Sequence, residues 1–117
     1  MGDLREKTKH LAIEIIKLVE GLPRGKVADV LGKQILRSGT SVGANYRAAS
    51  RARSKPDFIS KMGIVEEEAD ETLYWLELLL EAKLVTPNQI QGLVNESDEI
   101  VAMVVSSIKT ARRNKNE

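Results

Sequence analysis

Apolar residues recur at intervals of three and four along four long segments of this 117-residue chain. Residues at these intervals lie on one side of an α-helix. A helix with one apolar stripe must bury that stripe against other helices, and short connections between consecutive helices favour antiparallel packing. The spacing therefore predicts an all-α protein: an antiparallel, up-and-down four-helix bundle that forms a single domain over residues 1–117.

Capping residues and prolines set the predicted ends of the helices. Asp3, Ser54 and Thr86 are candidate N-caps, because each is followed three residues later by Glu, Asp or Gln. Pro23 ends the first segment, and Pro87 stands at a first helical position. We predict helices at about 3–21, 25–53, 56–84 and 87–112.

The stretch SGTSVGANYRAASRARSK at residues 38–55 continues the second helix, because the apolar register runs through it unbroken. Glycine inside a helix costs about 1 kcal/mol relative to alanine, so packing must offset Gly39 and Gly43. We interpret them as sites of close helix contact, either within the bundle or at an oligomer interface. Ser38 and Asn45 fall on the core stripe as structural polar residues, and Asn45 is predicted to tie two helices together. The full stripe is Val27, Leu31, Ile35, Ser38, Val42, Asn45 and Ala49.

A basic stripe lies opposite the core stripe of the second helix. It has two interpretations, binding to phosphates or pairing with acids of the third helix. The acids form the run EEEADE at residues 66–71, where Glu66 or Asp70 could meet Arg47 or Arg51. The predicted nucleic-acid-binding residues are Arg37, Arg47, Arg51 and Lys55, with Arg112, Arg113 and Lys115 in the C-terminal tail.

The third helix has a second apolar side beside its core seam. Ile64, Trp75, Leu78 and Leu79 fall on this side by their spacing. A helix with two apolar sides usually has two packing partners, and tryptophan is a frequent interface anchor. We therefore assign Ile64, Trp75 and Leu78 to a candidate oligomer interface, with burial of Trp75 in the monomer core as the alternative.

Composition limits the functions that are open to the chain. Its formal net charge is only +1, so any electrostatic function requires local segregation of charge. It has no cysteine, which excludes disulfides, thiolate nucleophiles and cysteine-ligated zinc. No apolar run is long enough for a signal peptide or a membrane span. We expect a cytoplasmic protein without membrane contact.

Residues for catalysis or metal binding are scarce. His10 is the single histidine, so the paired Glu-x-x-His motifs of di-metal bundles are missing. The segment GLPRGK at residues 21–26 is one residue short of a phosphate-binding P-loop and is followed by Val27 in place of Ser or Thr. We predict no enzymatic activity, no metal and no cofactor.

Residues 34–79 resemble the signature of a bacterial four-helix-bundle family that is often encoded in intervening sequences of large-subunit ribosomal RNA genes. The resemblance rests on the spacing Arg-Ser-x-x-Ser-x-x-x-Asn, followed by basic residues and Phe58. Many members continue with Asn-Ile-x-Glu-Gly, whereas residues 45–49 here read NYRAA, which replaces the acid and the glycine. The motif residues are Arg37, Ser38, Ser41 and Asn45.

The resemblance implies a homopentamer with five bundles around an axis. It also implies kinship with the accessory variability proteins of diversity-generating retroelements, which are thought to bind nucleic acid through basic surfaces. We therefore expect a non-enzymatic, ring-forming oligomer that binds the RNA or DNA backbone through its second helix. The alternative is a scaffold or adaptor that binds a protein partner through the third helix. The two differ in whether Arg47 and Arg51 are paired with Glu66 and Asp70.

Overall fold

The computed structural model describes residues 3–114, which form four antiparallel helices. Helices α1 and α3 each pack against both α2 and α4, so the bundle is square in cross-section. It measures 53 × 21 × 20 Å. The predicted four-helix bundle is confirmed. The helices span α1 Leu4–Glu20, α2 Lys26–Ser50, α3 Lys55–Glu81 and α4 Pro87–Arg113.

The three predicted N-caps all form. The side chains of Asp3, Ser54 and Thr86 accept hydrogen bonds from backbone amides of the first turns of α1, α3 and α4. Helix α3 ends at Glu81, three residues earlier than predicted. Lys83 adopts a left-handed conformation (φ 63°), and the Leu84 amide donates to the Leu79 carbonyl at 3.0 Å. This pairing is the Schellman end of a helix, here built without glycine.

Each helix contributes one apolar stripe to the core, as the periodicity predicts. The fully buried members of these stripes include Leu11 and Ile15 of α1, Ile35 and Val42 of α2, Val65 and Leu76 of α3, and Ile100 and Val104 of α4. Two assignments were wrong at the level of single residues. Val27 is 59% exposed because its neighbour Ala28, which is 4% exposed, takes the inward-facing position in the first turn of α2. Leu79 is fully buried, so it belongs to the core and not to the second apolar side of α3.

The glycines of α2 lie against α1 of the same chain. A Cβ atom added to Gly39 would stand 2.9 Å from Cγ1 of Ile15, and one added to Gly43 would stand 3.2 Å from Oγ1 of Thr8. Gly39 is itself buried in the single chain. The bare flank of α2 therefore allows close approach within the bundle, which is the first of the two alternatives, and these glycines do not present a surface to another subunit.

The polar residues of the α2 core stripe differ in their roles. The buried hydroxyl of Ser38 accepts a 3.0 Å hydrogen bond from Thr72 Oγ1, which joins α2 to α3. Asn45 is half-buried, and its Nδ2 donates to the carbonyl and the hydroxyl of Ser41 at 2.9 and 2.7 Å. These bonds stay within α2, so the predicted tie between helices by Asn45 was wrong. Thr72 was not singled out from the sequence, yet its hydroxyl makes this buried hydrogen bond between α3 and α2.

Candidate nucleic-acid interface

One end of the bundle brings together segments that are far apart in the sequence. In an up-and-down bundle, the start of α1, the end of α2, the start of α3 and the end of α4 share one end. The contact between the Lys55 ammonium and the backbone carbonyl of Asn114 shows this directly, because it joins the first residue of α3 to the end of α4. We call this end of the molecule the basic end.

Charge is strongly segregated toward the basic end. Residues 3–9, 44–61 and 99–114 contain 11 Lys and Arg against 4 Asp and Glu, a net charge of +7, although the whole chain has a net charge of +1. The remaining residues contain 7 Lys and Arg against 13 Asp and Glu. Such segregation creates a local positive field in a nearly neutral molecule. A protein with so small a net charge needs a local field of this kind for an electrostatic function.

Most cations of the basic end are free to meet a ligand. Lys7 is paired with Glu99, Lys61 is paired with Asp57, and Lys55 is half-buried against the α4 terminus. The other eight cations are exposed and form no ion pair with another residue between 3 and 114. They are Arg5, Lys9, Arg47, Arg51, Arg53, Lys109, Arg112 and Arg113.

Arg37 does not belong with these free cations. Its guanidinium donates to Glu68 Oε1 at 3.0 Å and also to Glu71 Oε2. These two acceptors raise the pKa of Arg37 above its ordinary value. Its charge is therefore compensated across the α2–α3 contact. The prediction that Arg37 offers its charge to phosphate was wrong, because the acids of α3 lie within its reach.

Arg47 and Arg51 differ from Arg37. Neither pairs with Glu66, Asp70 or any other acid among residues 3–114. The register of the two helices explains the difference, since Ser38 of α2 lies beside Thr72 of α3 and later residues of α2 lie beside earlier residues of α3. Arg37 is therefore level with the acids of α3, whereas Arg47 and Arg51 lie beside the first half of α3, before its acidic run begins. The ion-pair alternative therefore applies to Arg37 and not to Arg47 or Arg51.

Sequence reasoning missed four cations of this surface. Arg5 and Lys9 belong to α1, Arg53 lies in the α2–α3 connection, and Lys109 belongs to the last turns of α4. The available signal was topology, because antiparallel packing places the start of α1 beside the end of α2. The tail residue Lys115, which was grouped with Arg112 and Arg113, lies outside the described residues.

A second surface lies along the outer side of α2 and α3, away from the basic end. Ile64 is 40% exposed and Tyr74 is 51% exposed, while Trp75 and Leu78 are half-buried. Trp75 packs against the core and also contacts the Tyr74 ring of the same chain, so burial in the monomer is partly realised, and its place in an oligomer interface stays a prediction. Val27 and Val30 are exposed apolar side chains of the neighbouring helix α2, each 59% exposed. We call these six residues the α2–α3 apolar face.

Comparison with known proteins identifies the fold and its relatives. The model of the 23S rRNA-intervening sequence protein family matches residues 3–106, which is most of the chain. The chain belongs to this family. The motif at residues 37–45 therefore identified the 23S rRNA-intervening sequence protein family correctly from the sequence alone.

A solved structure supports the membership of the family. It is the crystal structure of a protein of unknown function from the S23 ribosomal protein family of Bacteroides thetaiotaomicron. This relative is 43% identical, with a TM-score of 0.86, over 92% of the present chain and 99% of the relative. No functionally curated protein matches the sequence.

None of the helices in residues 3–114 combines the length and the apolar content that a membrane span requires.

In this member of the 23S rRNA-intervening sequence protein family, Glu71 links the Arg37 pair to the α2–α3 apolar face. Its Oε2 accepts from the Trp75 indole Nε1 at 3.0 Å and also from Arg37. These two donors, with the indole first, lower the pKa of Glu71 despite partial desolvation, which acts in the opposite direction. A lowered pKa means that the ionised carboxylate favours the folded state.

We predict that the emission of Trp75 follows the protonation of Glu71 in acid. The stabilisation from ionised Glu71 is complete above the ordinary glutamate pKa of about 4.3 and is lost as the pH falls through the lowered pKa of the folded protein. Trp75 is the single tryptophan, so its emission reports this site. The midpoint is expected below pH ~4.3, with circular dichroism verifying that the helices persist.

The matched control for this titration is Glu77, an exposed glutamate of the same helix. Glu71→Gln is expected to abolish the acid transition of Trp75 emission, whereas Glu77→Gln leaves it in place. A transition that survives Glu71→Gln would contradict the assignment of the titrating group.

Proposed function

We propose that this chain is a non-catalytic nucleic-acid-binding protein that holds the phosphate backbone of RNA or DNA with its basic end. The observation that carries the proposal is the segregation of charge, a net +7 in three segments of a chain whose total is +1. Eight exposed cations without acid partners in the described range supply the donors. Arginine supplies most of them, and its planar guanidinium suits phosphate.

The family description favours RNA as the ligand. It associates these proteins with intervening sequences of 23S ribosomal RNA. The predicted kinship with retroelement accessory proteins points to the same class of ligand through the sequence resemblance.

The observed ion pairs weaken the alternative that the chain is an adaptor, which would bind a protein partner through α3. Ion pairs from Arg47 and Arg51 to Glu66 and Asp70 would have favoured it, and none of these pairs is among the ion pairs of residues 3–114. The acids of α3 engage Arg37 instead. The free cations therefore favour nucleic acid over a protein partner on α3.

Titration of a structured RNA hairpin tests the proposed function. Backbone binding is salt-sensitive, because each neutralised phosphate releases counterions. We expect the affinity for the hairpin to fall at least tenfold between about 50 and 200 mM monovalent salt. A fall of this size corresponds to roughly two or more phosphate contacts. Fluorescence anisotropy of a labelled hairpin measures this. Micromolar protein that leaves the anisotropy unchanged at the lower salt concentration would contradict the proposal.

We also propose that the chain assembles into a homo-oligomeric ring, with five copies as the resemblance implies. The α2–α3 apolar face supports this, because six large side chains there remain at least partly exposed in the single chain. This face and the basic end are separate surfaces. A ring would therefore repeat the basic end around its axis and raise avidity for a long anionic strand.

Light scattering tests the assembly. We expect a solution mass near five times the 13.0 kDa of one chain. Ile64→Glu combined with Leu78→Glu should lower the mass to that of a monomer, because two carboxylates would be desolvated in each contact. The matched control is Ile13→Glu on α1, where the native side chain is similarly exposed at 42%. A wild-type mass of 13.0 kDa would contradict the ring.

A further inference from the structure

An apolar groove opens at the basic end of the bundle. Its volume is about 760 Å³, within the range of roughly 300–1,000 Å³ that is typical of small-molecule sites. It lies where α1 begins at Leu4, while α2, α3 and α4 continue alongside. Its wall combines two of the four aromatic side chains of the protein, Tyr46 and Phe58, with the apolar side chains of Leu4 and Met103.

Hydroxyl groups form one side of this groove. Ser106, Ser107 and Thr110 follow one another along α4 and contribute donors and acceptors to an otherwise apolar lining. Two acids also border it, but both are engaged. Asp3 accepts from the Arg5 amide as the cap of α1, and Glu99 is paired with Lys7.

Cations of the basic end stand on both sides of the groove. Arg47 immediately follows Tyr46 on α2 and lies one turn beyond Gly43, which packs on α1. On α4, Arg113 follows Thr110 by three residues and Ser106 by seven, and that spacing places it on the same side of the helix as these lining residues. A ligand bound in the groove would thus have a guanidinium group on either side.

We infer that the groove accepts an unpaired base of a single-stranded nucleic acid, while the flanking arginines hold the adjacent phosphates. The inference rests on the proposed function and makes it more specific. Aromatic surface for stacking, hydroxyls for base edges and cations for phosphates are the three elements of single-strand recognition. The groove lining supplies the aromatic surface and the hydroxyls, and the exposed arginines of the basic end supply the cations for a polyanion with an apolar, planar side group.

An abasic strand separates this inference from the proposed function. The two probes are a ten-residue oligouridylate and a strand of equal length whose sugars carry no bases, so that the phosphates match. Wild-type protein is expected to bind the oligouridylate about tenfold more tightly than the abasic strand. Stacking of roughly one base on an aromatic side chain accounts for a difference of this size. Equal affinity for both strands would overturn the groove inference and leave backbone binding intact. Absence of binding to either strand would overturn both.

Filling the groove tests its location. Ser106 is exposed at the groove, so Ser106→Trp can be introduced without replacing a core side chain. The variant is expected to lose the tenfold preference for bases while it binds the abasic strand as wild type does. The control is Asn95→Trp, at an exposed position of the same helix outside the groove lining, which should keep the preference. A preference that survives Ser106→Trp would overturn the assignment to this groove.

Discussion

The Arg47→Glu/Arg51→Glu double variant is expected to bind an RNA hairpin about 100-fold more weakly than wild type at about 100 mM salt. Both guanidinium groups are exposed, and neither has an acid partner among residues 3–114. Each reversal removes one phosphate contact and adds repulsion from a like charge. The slope of log affinity against log salt should also become shallower by about 2, one unit for each contact.

The matched control reverses two charges at the opposite end of the bundle. Arg24 and Lys26 are exposed and lie in the α1–α2 connection and the first turn of α2. Arg24→Glu/Lys26→Glu changes the net charge by the same amount, so a nonspecific charge effect would weaken binding equally. We expect less than a threefold change, since reversal far from the contact alters only a screened field. Equal losses in both double variants would contradict a localised basic end.

Gly39→Ala is expected to lower the free energy of unfolding by about 1–2 kcal/mol, the cost of overpacking less the gain in helix propensity. The added Cβ would stand 2.9 Å from Cγ1 and 3.2 Å from Cβ of Ile15, whose side chain is fully buried. Atoms so near the Ile15 backbone cannot move aside without a shift of α1. Urea unfolding followed by circular dichroism measures the change.

Gly63→Ala is the control for helix propensity. Gly63 also lies inside a helix, but its added Cβ would meet no atom within 4 Å. This variant is expected to gain up to about 1 kcal/mol, because alanine favours the helix. In an Ile15→Ala background, Gly39→Ala should destabilise less, since the two opposing Cγ atoms are gone and only the Cβ atom at 3.2 Å remains. A stabilising effect of Gly39→Ala in the wild-type background would contradict the close contact between α1 and α2.

The fold could be predicted from the sequence because its signals are local. The spacing of Leu11, Ile15 and Ile35 and the N-caps Ser54 and Thr86 each act within a few residues along the chain. Helix ends were less predictable. The end of α3 depends on the left-handed conformation of Lys83, and lysine gives no signal for it.

The candidate site could be predicted only in part, because it depends on which helix faces which. Periodicity placed Arg37 and Arg47 on one exposed side, but it could not show that Arg37 pairs with the acids of α3 while Arg47 forms no ion pair among residues 3–114. The contribution of Arg5 appears only once the topology brings α1 beside the end of α2. Asn45 illustrates the same limit, since its amide is satisfied by Ser41 one turn away.

Backbone amide shifts of ¹⁵N-labelled protein during titration with an RNA hairpin test the central proposal most directly. The account predicts that the largest changes fall in residues 3–9, 44–54 and 105–114, where the free cations lie. Saturable changes confined to residues 64–82 of α3, or an unchanged spectrum at excess RNA and low salt, would contradict it.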